Sequence, residues 1–147
     1  GQLDAGFETT YALKKPGNGV YAFVIEGDVT IGDLFKIMPF DNLTVWVRMP
    51  VEVIPEIAAY LEKTGGEPIS GARLENGKLT VNGVEATTKE FIIITSDYLL
   101  NGGDKMYFFQ KAIEVIDTGK LIRDCIITEA KEQGTLISNL ENRIIIQ

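Results

Sequence analysis

The chain has 147 residues, 45% of them hydrophobic and 24% charged, the balance of one folded domain with a real core, which excludes wholesale disorder. Its formal net charge of −7 repels a phosphate polymer on average, so nucleic-acid polymers are set aside as partners. With no histidine and one cysteine, Cys125, it has no means of Ser-His-Asp or Cys-His chemistry, of an imidazole zinc site, of an internal disulfide or of a CxxC site.

The first fifteen residues show no clear period, and 1–17 is expected to be an irregular segment of a single domain over 1–147. "KKPGNG" at 14–19 breaks the chain, and "VYAFVI" at 20–25 reads as a strand. Thr30 has the side chain of an N-cap for a helix over "IGDLFKIM", with Ile31, Leu34, Phe35 and Met38 on one face and Pro39 ending it. "NLTVWVRM" sets Leu43, Val45, Val47 and Met49 against Thr44, Trp46 and Arg48, the alternation of a two-faced strand. "PVEVIPEIAAYLEKTGG" reads as a helix with Pro55 in its first turn, Ile54, Ile57, Ala58 and Leu61 inward, and Gly65-Gly66 at its end.

Asn76-Gly77 lies between two alternating runs and supplies the positive φ values of a type I′ hairpin. "EFIIITSD" at 90–97 is a continuous apolar run and reads as a central strand, while "KMYFFQ" is open between a strand and an extended piece. "DTGKLIRDCIITEAKEQG" is an amphipathic helix with Thr118 as N-cap and Gly134 as C-cap. Leu121, Ile122, Cys125, Ile126 and Ala130 share its apolar face, with the Cys125 thiol buried and inert. "NRIIIQ" closes as a buried strand. Strands and helices mix without regular βαβ alternation, so the expected class is α+β, with a mixed, mostly antiparallel sheet and about three helices.

No apolar run reaches the roughly 18 residues that span a bilayer. No secretory signal is visible, and the start at Gly1 suggests a trimmed N-terminus. Asp28, Asp33 and Asp41 raise the question of a carboxylate metal site, but Asp28 and Asp33 flank the Thr30 cap, where carboxylates favour the positive end of a helix. Trp46 is open between a second-face core residue and a partner contact; Tyr107, Phe108 and Phe109 read as core. In "YLLNGGD", residues 98–104, Gly102 and Gly103 are explained locally as a tight turn, and no Gly-Lys-Ser/Thr follows to make a phosphate loop.

Three stretches, in order over roughly 18–147, resemble the C-terminal domain of 5′-nucleotidases and UDP-sugar hydrolases. "GDVTIGDLFKIMPFDNLTVWVRM" looks like that domain's opening, "ISGARL" through "LTVNGVEATTKEFIIITSDYLLNGGDKMYFF" like its middle, and "GKLIRDCIITEAKEQG" with "NRIIIQ" like its end. The resemblance implies nucleoside or nucleotide recognition in nucleotide catabolism by a domain that is not catalytic alone. The phosphoester chemistry would belong to a metallophosphoesterase domain or chain whose paired divalent metals activate water and clamp phosphate. With no His and no D-x-H or N-H-[DE] motif, this chain is expected to hold no metal and no catalytic residue of its own.

By the same resemblance Tyr98 is the aromatic that stacks on the base, and Asp104, six positions later, reaches the ribose hydroxyls across Gly102-Gly103. Asn18 and Tyr21 fall where the family has an N-x-G-G-I-R loop, with Tyr21 in place of the Arg. Gly66 or Glu67 stands where a second stacking Phe is expected. A degenerate, non-binding structural or regulatory partner of a separate phosphoesterase is therefore the alternative. An exported, periplasmic location in a bacterium is implied by the resemblance alone.

Overall fold

A computed structural model describes residues 2–3, 27–137 and 141–146. The strand expected at 20–25 and the irregular segment at 1–17 lie, but for residues 2–3, outside them. The described residues fall into two compact units, one from 1–42 and 120–140, the other from 43–119 and 141–147.

In the first unit, short strands β1 (Gln2–Leu3) and β2 (Gly27–Asp28) pair antiparallel. Helix α1 (Ile31–Ile37) starts at Thr30 in a capping box. The Asp33 N–H donates to Thr30 Oγ1 at 3.1 Å, and the Thr30 N–H donates to the Asp33 carboxylate at 2.8 Å. These reciprocal bonds hold the Asp33 carboxyl below its usual value, so Asp33 serves the cap. The buried side chains of α1 are Leu34 and Ile37, packed with Val29, Ile126, Ile127 and Ala130. Ile31 and Phe35, expected to face inward with Leu34, are exposed.

Helix α4 (Ile122–Gln133) has Leu121, not Thr118, at its N-cap position, with no side-chain cap bond, and Gly134 ends it as expected. Its buried residue is Arg123, and Cys125 is half-buried rather than buried. Thr118 belongs to a strand absent from the sequence reading, β7 (Glu114–Leu121).

In the second unit β3 (Leu43–Pro50) has the expected alternation, burying Val45, Val47 and Met49. A 3₁₀ turn at Val51–Val53 leads into α2 (Ile54–Thr64), which has Pro55 in its first turn and ends on Gly65 in the left-handed conformation. Strands β4 (Ala72–Glu75) and β5 (Lys78–Val81) form the Asn76-Gly77 hairpin, both turn residues having positive φ. β8 (Ile144–Ile145) joins β4 in parallel.

Strand β6 (Glu90–Ser96) pairs antiparallel with β3, and the strand order is β6-β3-β7. Among the described strands β6 is thus lateral, not central, and it alternates. Phe91 and Ile93 pack on the core, while Ile92 and Ile94 are exposed beside Trp46. Trp46 is accordingly neither a second-face core residue nor covered. "KMYFFQ" is neither a strand nor an extended piece: it folds into 3₁₀ turns, with Met106, Phe108 and Phe109 in the core. The α+β class and predominantly antiparallel pairing match expectation. No helix of the described residues is long and apolar enough to cross a membrane.

Candidate functional site

Residues 96–109 bring the sequence-predicted pair together. The Ser96 hydroxyl accepts the Leu99 N–H at 3.1 Å and starts the single turn α3 (Asp97–Leu100). The Asp97 carboxylate accepts the Leu43 N–H at 2.9 Å, fastening this turn to the start of β3. The Asn101 side-chain amide donates to the Asp97 carbonyl at 2.8 Å. The aromatic side chain of Tyr98 is thereby carried on a braced turn at the end of a core-packed strand.

Past α3 the backbone turns through the left-handed region three times, at Gly102 (φ 94°), Asp104 (φ 52°) and Lys105 (φ 62°). Gly accepts this freely and Asp tolerates it, whereas Lys is strained there. Two tyrosines hold the turn. Tyr60, from α2, donates its hydroxyl to the Asp104 carbonyl at 2.9 Å, and Tyr98 donates to Asp104 Oδ1 at 3.1 Å. Tyr60 is fixed in turn by an edge-on contact with Phe108, ring centroids 5.6 Å apart. Its hydroxyl is pushed up to about 12 by burial, then by the negative charges of Glu67 and Asp104, with a smaller effect of Tyr98.

Gly103 makes room for an aromatic ring, while Gly102 is required by its positive φ. A Cβ on Gly103 would stand 2.4 Å from the Tyr98 ring, and one on Gly102 would meet the Tyr107 ring at 3.7 Å. Tyr98 and Tyr107 are 52% and 57% exposed, so the turn presents two tyrosines to solvent. Tyr107 is thus not a core residue, unlike its neighbours Phe108 and Phe109. With Leu100, Asn101, Gly102, Met106 and Gln110 it lines a concavity of about 310 Å³ beside the turn.

Of the two positions where the resemblance expects a second stacking Phe, Gly66 has φ 102°, a conformation that strains any side chain, and a Cβ there would lie 3.2 Å from Ile144 side-chain carbons, which would have to give way. Glu67 instead adds its charge near Tyr60. Asn18 and Tyr21 lie outside the described residues. Among the described residues no three His, Cys, Asp or Glu side chains gather to hold a metal ion. Tyr60 and Tyr107 are the residues at this candidate site that the sequence did not point to. Tyr60 is distant in sequence, and Tyr107 is masked by the two phenylalanines that follow it.

The fold is that of known nucleotidases. The crystal structure of a 5′-nucleotidase precursor from Thermus thermophilus superimposes with a TM-score of 0.65 at 20% identity, covering 87% of this chain and 30% of that chain. The structure of Haemophilus influenzae NAD nucleotidase does so with a TM-score of 0.66 at 17% identity, covering 99% of this chain and 29% of that one. This chain therefore spans less than a third of either protein's length, the extent of the C-terminal domain its sequence resembles. No protein-family model and no curated protein matches it.

Proposed function

We propose that this chain is a nucleoside-recognising domain of a 5′-nucleotidase-type hydrolase, non-catalytic by itself. The observation that carries this reading is the exposed Tyr98 ring beside the Asp104 carboxylate on a strained, tyrosine-braced turn. A base stacks on Tyr98, a contact worth roughly 1–3 kcal/mol. Sugar hydroxyls donate to Asp104 in charge-assisted bonds. The carboxylates of Asp104 and Glu67 near Tyr60 suit the neutral nucleoside part of a nucleotide, leaving the phosphate to a metallophosphoesterase domain or chain with its divalent metals. The nucleotidase names of the structural neighbours support the same assignment, and an exported location for the assembled enzyme accords with it.

The test is a ligand-observed NMR screen of adenosine, uridine and their monophosphates, run beside a hydrolysis assay with divalent metal. Weak, millimolar-range binding that Tyr98→Ala abolishes, with no turnover, is expected. Silence from every nucleoside would remove the recognition reading, and turnover that survives repurification would remove the non-catalytic one.

One observation favours a second reading. Gly66, with φ 102° and a Cβ position 3.2 Å from Ile144, leaves the clamp without an aromatic at that place, as in a degenerate partner that packs on a phosphoesterase without gripping substrate. The same screen separates the two, since that partner binds no nucleoside.

A further inference from the structure

The carboxylate of Asp104 is already engaged. Its Oδ1 accepts the Tyr98 hydroxyl at 3.1 Å, and the residue is held in place from behind by the Tyr60 hydroxyl on its carbonyl. The Tyr98 ring reaches this position because Gly103 has no side chain; a Cβ there would stand 2.4 Å from the ring. The group that offers a stacking face therefore also occupies the polar partner next to it. A phenylalanine would offer the same face and leave the carboxylate open. The hydroxyl is tethered six residues from Asp104 on one braced turn, so its local concentration is high and an incoming hydroxyl competes against it.

We propose that the Tyr98 hydroxyl is an internal occupant of Asp104 that suppresses selection for a vicinal diol. This makes the site a reader of planar heterocycles that is nearly indifferent to the sugar. The proposal rests on the reading of 98–104 as a nucleoside site. A diol binds a carboxylate best through both oxygens at once, as other bidentate partners do. With one of the two lone pairs of Oδ1 engaged and the tyrosine hydroxyl lying at that edge of the carboxylate, a diol either binds chiefly through Oδ2 or displaces the tyrosine hydroxyl, and the exchange of one hydrogen bond for another leaves little net gain. A free base or a deoxynucleoside incurs no such exchange, because it needs only the exposed ring face.

The experiment measures Kd by NMR titration for adenosine, 2′-deoxyadenosine and adenine against four chains of residues 1–147: wild type, Tyr98→Phe, Asp104→Ala and the double variant. Circular dichroism confirms that each is folded. Wild type is expected to bind the three ligands within about threefold of one another. Tyr98→Phe should tighten adenosine by roughly three- to tenfold, the scale of one net hydrogen bond, and leave adenine unchanged. The gain should vanish in the double variant, since it runs through Asp104. Binding by Tyr98→Phe alone also supports the proposal. An unchanged adenosine-to-deoxyadenosine ratio in Tyr98→Phe, or a tenfold preference for adenosine already in wild type, overturns it and leaves nucleoside recognition standing. If neither protein binds any of the three, both readings fall.

Discussion

The described residues of the two compact units are held by different forces. In the unit of 43–119 and 141–147, twelve buried apolar side chains form one cluster, with Met49, Leu74, Val47 and Val53 fully enclosed. In the unit of 1–42 and 120–140 the buried apolar residues among those described are Leu34 and Ile37. There Arg123 does the joining. Its side chain is 9% exposed, its Nη1 donates to the carbonyls of Met38 and Phe40 at 3.2 and 3.4 Å, and its Nη2 pairs with Asp41 at 2.6 Å. Its guanidinium also lies 4.0 Å from the centre of the Phe35 ring. Apolar burial is non-directional. A guanidinium clamp depends on its geometry.

Removing apolar bulk from the large core should have the greatest effect. Leu74→Ala is expected to destabilise the unit of 43–119 and 141–147 by about 2–5 kcal/mol. Urea unfolding with hydrogen exchange checks this, and a loss well below the lower bound would mean the core is looser than its burial implies. Next comes the clamp. Arg123→Ala should cost about 2–3 kcal/mol, read as lost amide protection in α1 and α4. Arg123→Lys should cost nearly as much, because one ammonium cannot reach two carbonyls, a carboxylate and a ring in that geometry. Asp41→Ala should matter far less, since the Asp41 side chain is 78% exposed and its pair with Arg123 is largely solvated on that side. A Lys variant as stable as wild type would show that charge alone suffices.

The smallest effect is confined to alkaline pH. Folding raises the Tyr60 hydroxyl from 10.0 to about 12, so the folded chain holds this proton more tightly than the unfolded one. The resulting stability is complete below the unfolded value and is lost as pH rises through the folded value. Compared with Tyr60→Phe, wild type should therefore lose its relative advantage between about pH 10 and 12, measured by urea midpoints. A flat difference across that window would place Tyr60 in water.

Local signals in the sequence were reliable where the chemistry is local. Thr30 caps α1, Gly65 ends α2, and Asn76-Gly77 turns the hairpin because each requirement is met within a few residues. The run "EFIIITS" concealed its alternation because its exposed positions are isoleucines too, Ile92 and Ile94. β7 has Asp117, Gly119 and Lys120 in its sequence and no apolar period. It forms because β3 supplies partners, the Thr118 hydroxyl donating to the Thr44 carbonyl at 2.7 Å and the Ile113 N–H to that of Arg48 at 2.8 Å. The same division holds at the site. Tyr98 and Asp104 were legible from their spacing within a family-like turn, and they do meet. Tyr60, on a different element 44 residues from Asp104, was not. Nor could spacing reveal that the tyrosine hydroxyl, absent from a phenylalanine, would occupy the aspartate.

The central claim is that the braced turn at 98–104 receives a nucleoside. The most direct measurement is chemical-shift mapping on the isotope-labelled chain during an adenosine titration. Saturating shifts centred on Tyr98, Gly102, Gly103 and Asp104, and absent in Tyr98→Ala, are the predicted result. A titration that leaves these amides unmoved to saturating millimolar adenosine, or that moves them equally in Tyr98→Ala, would contradict it.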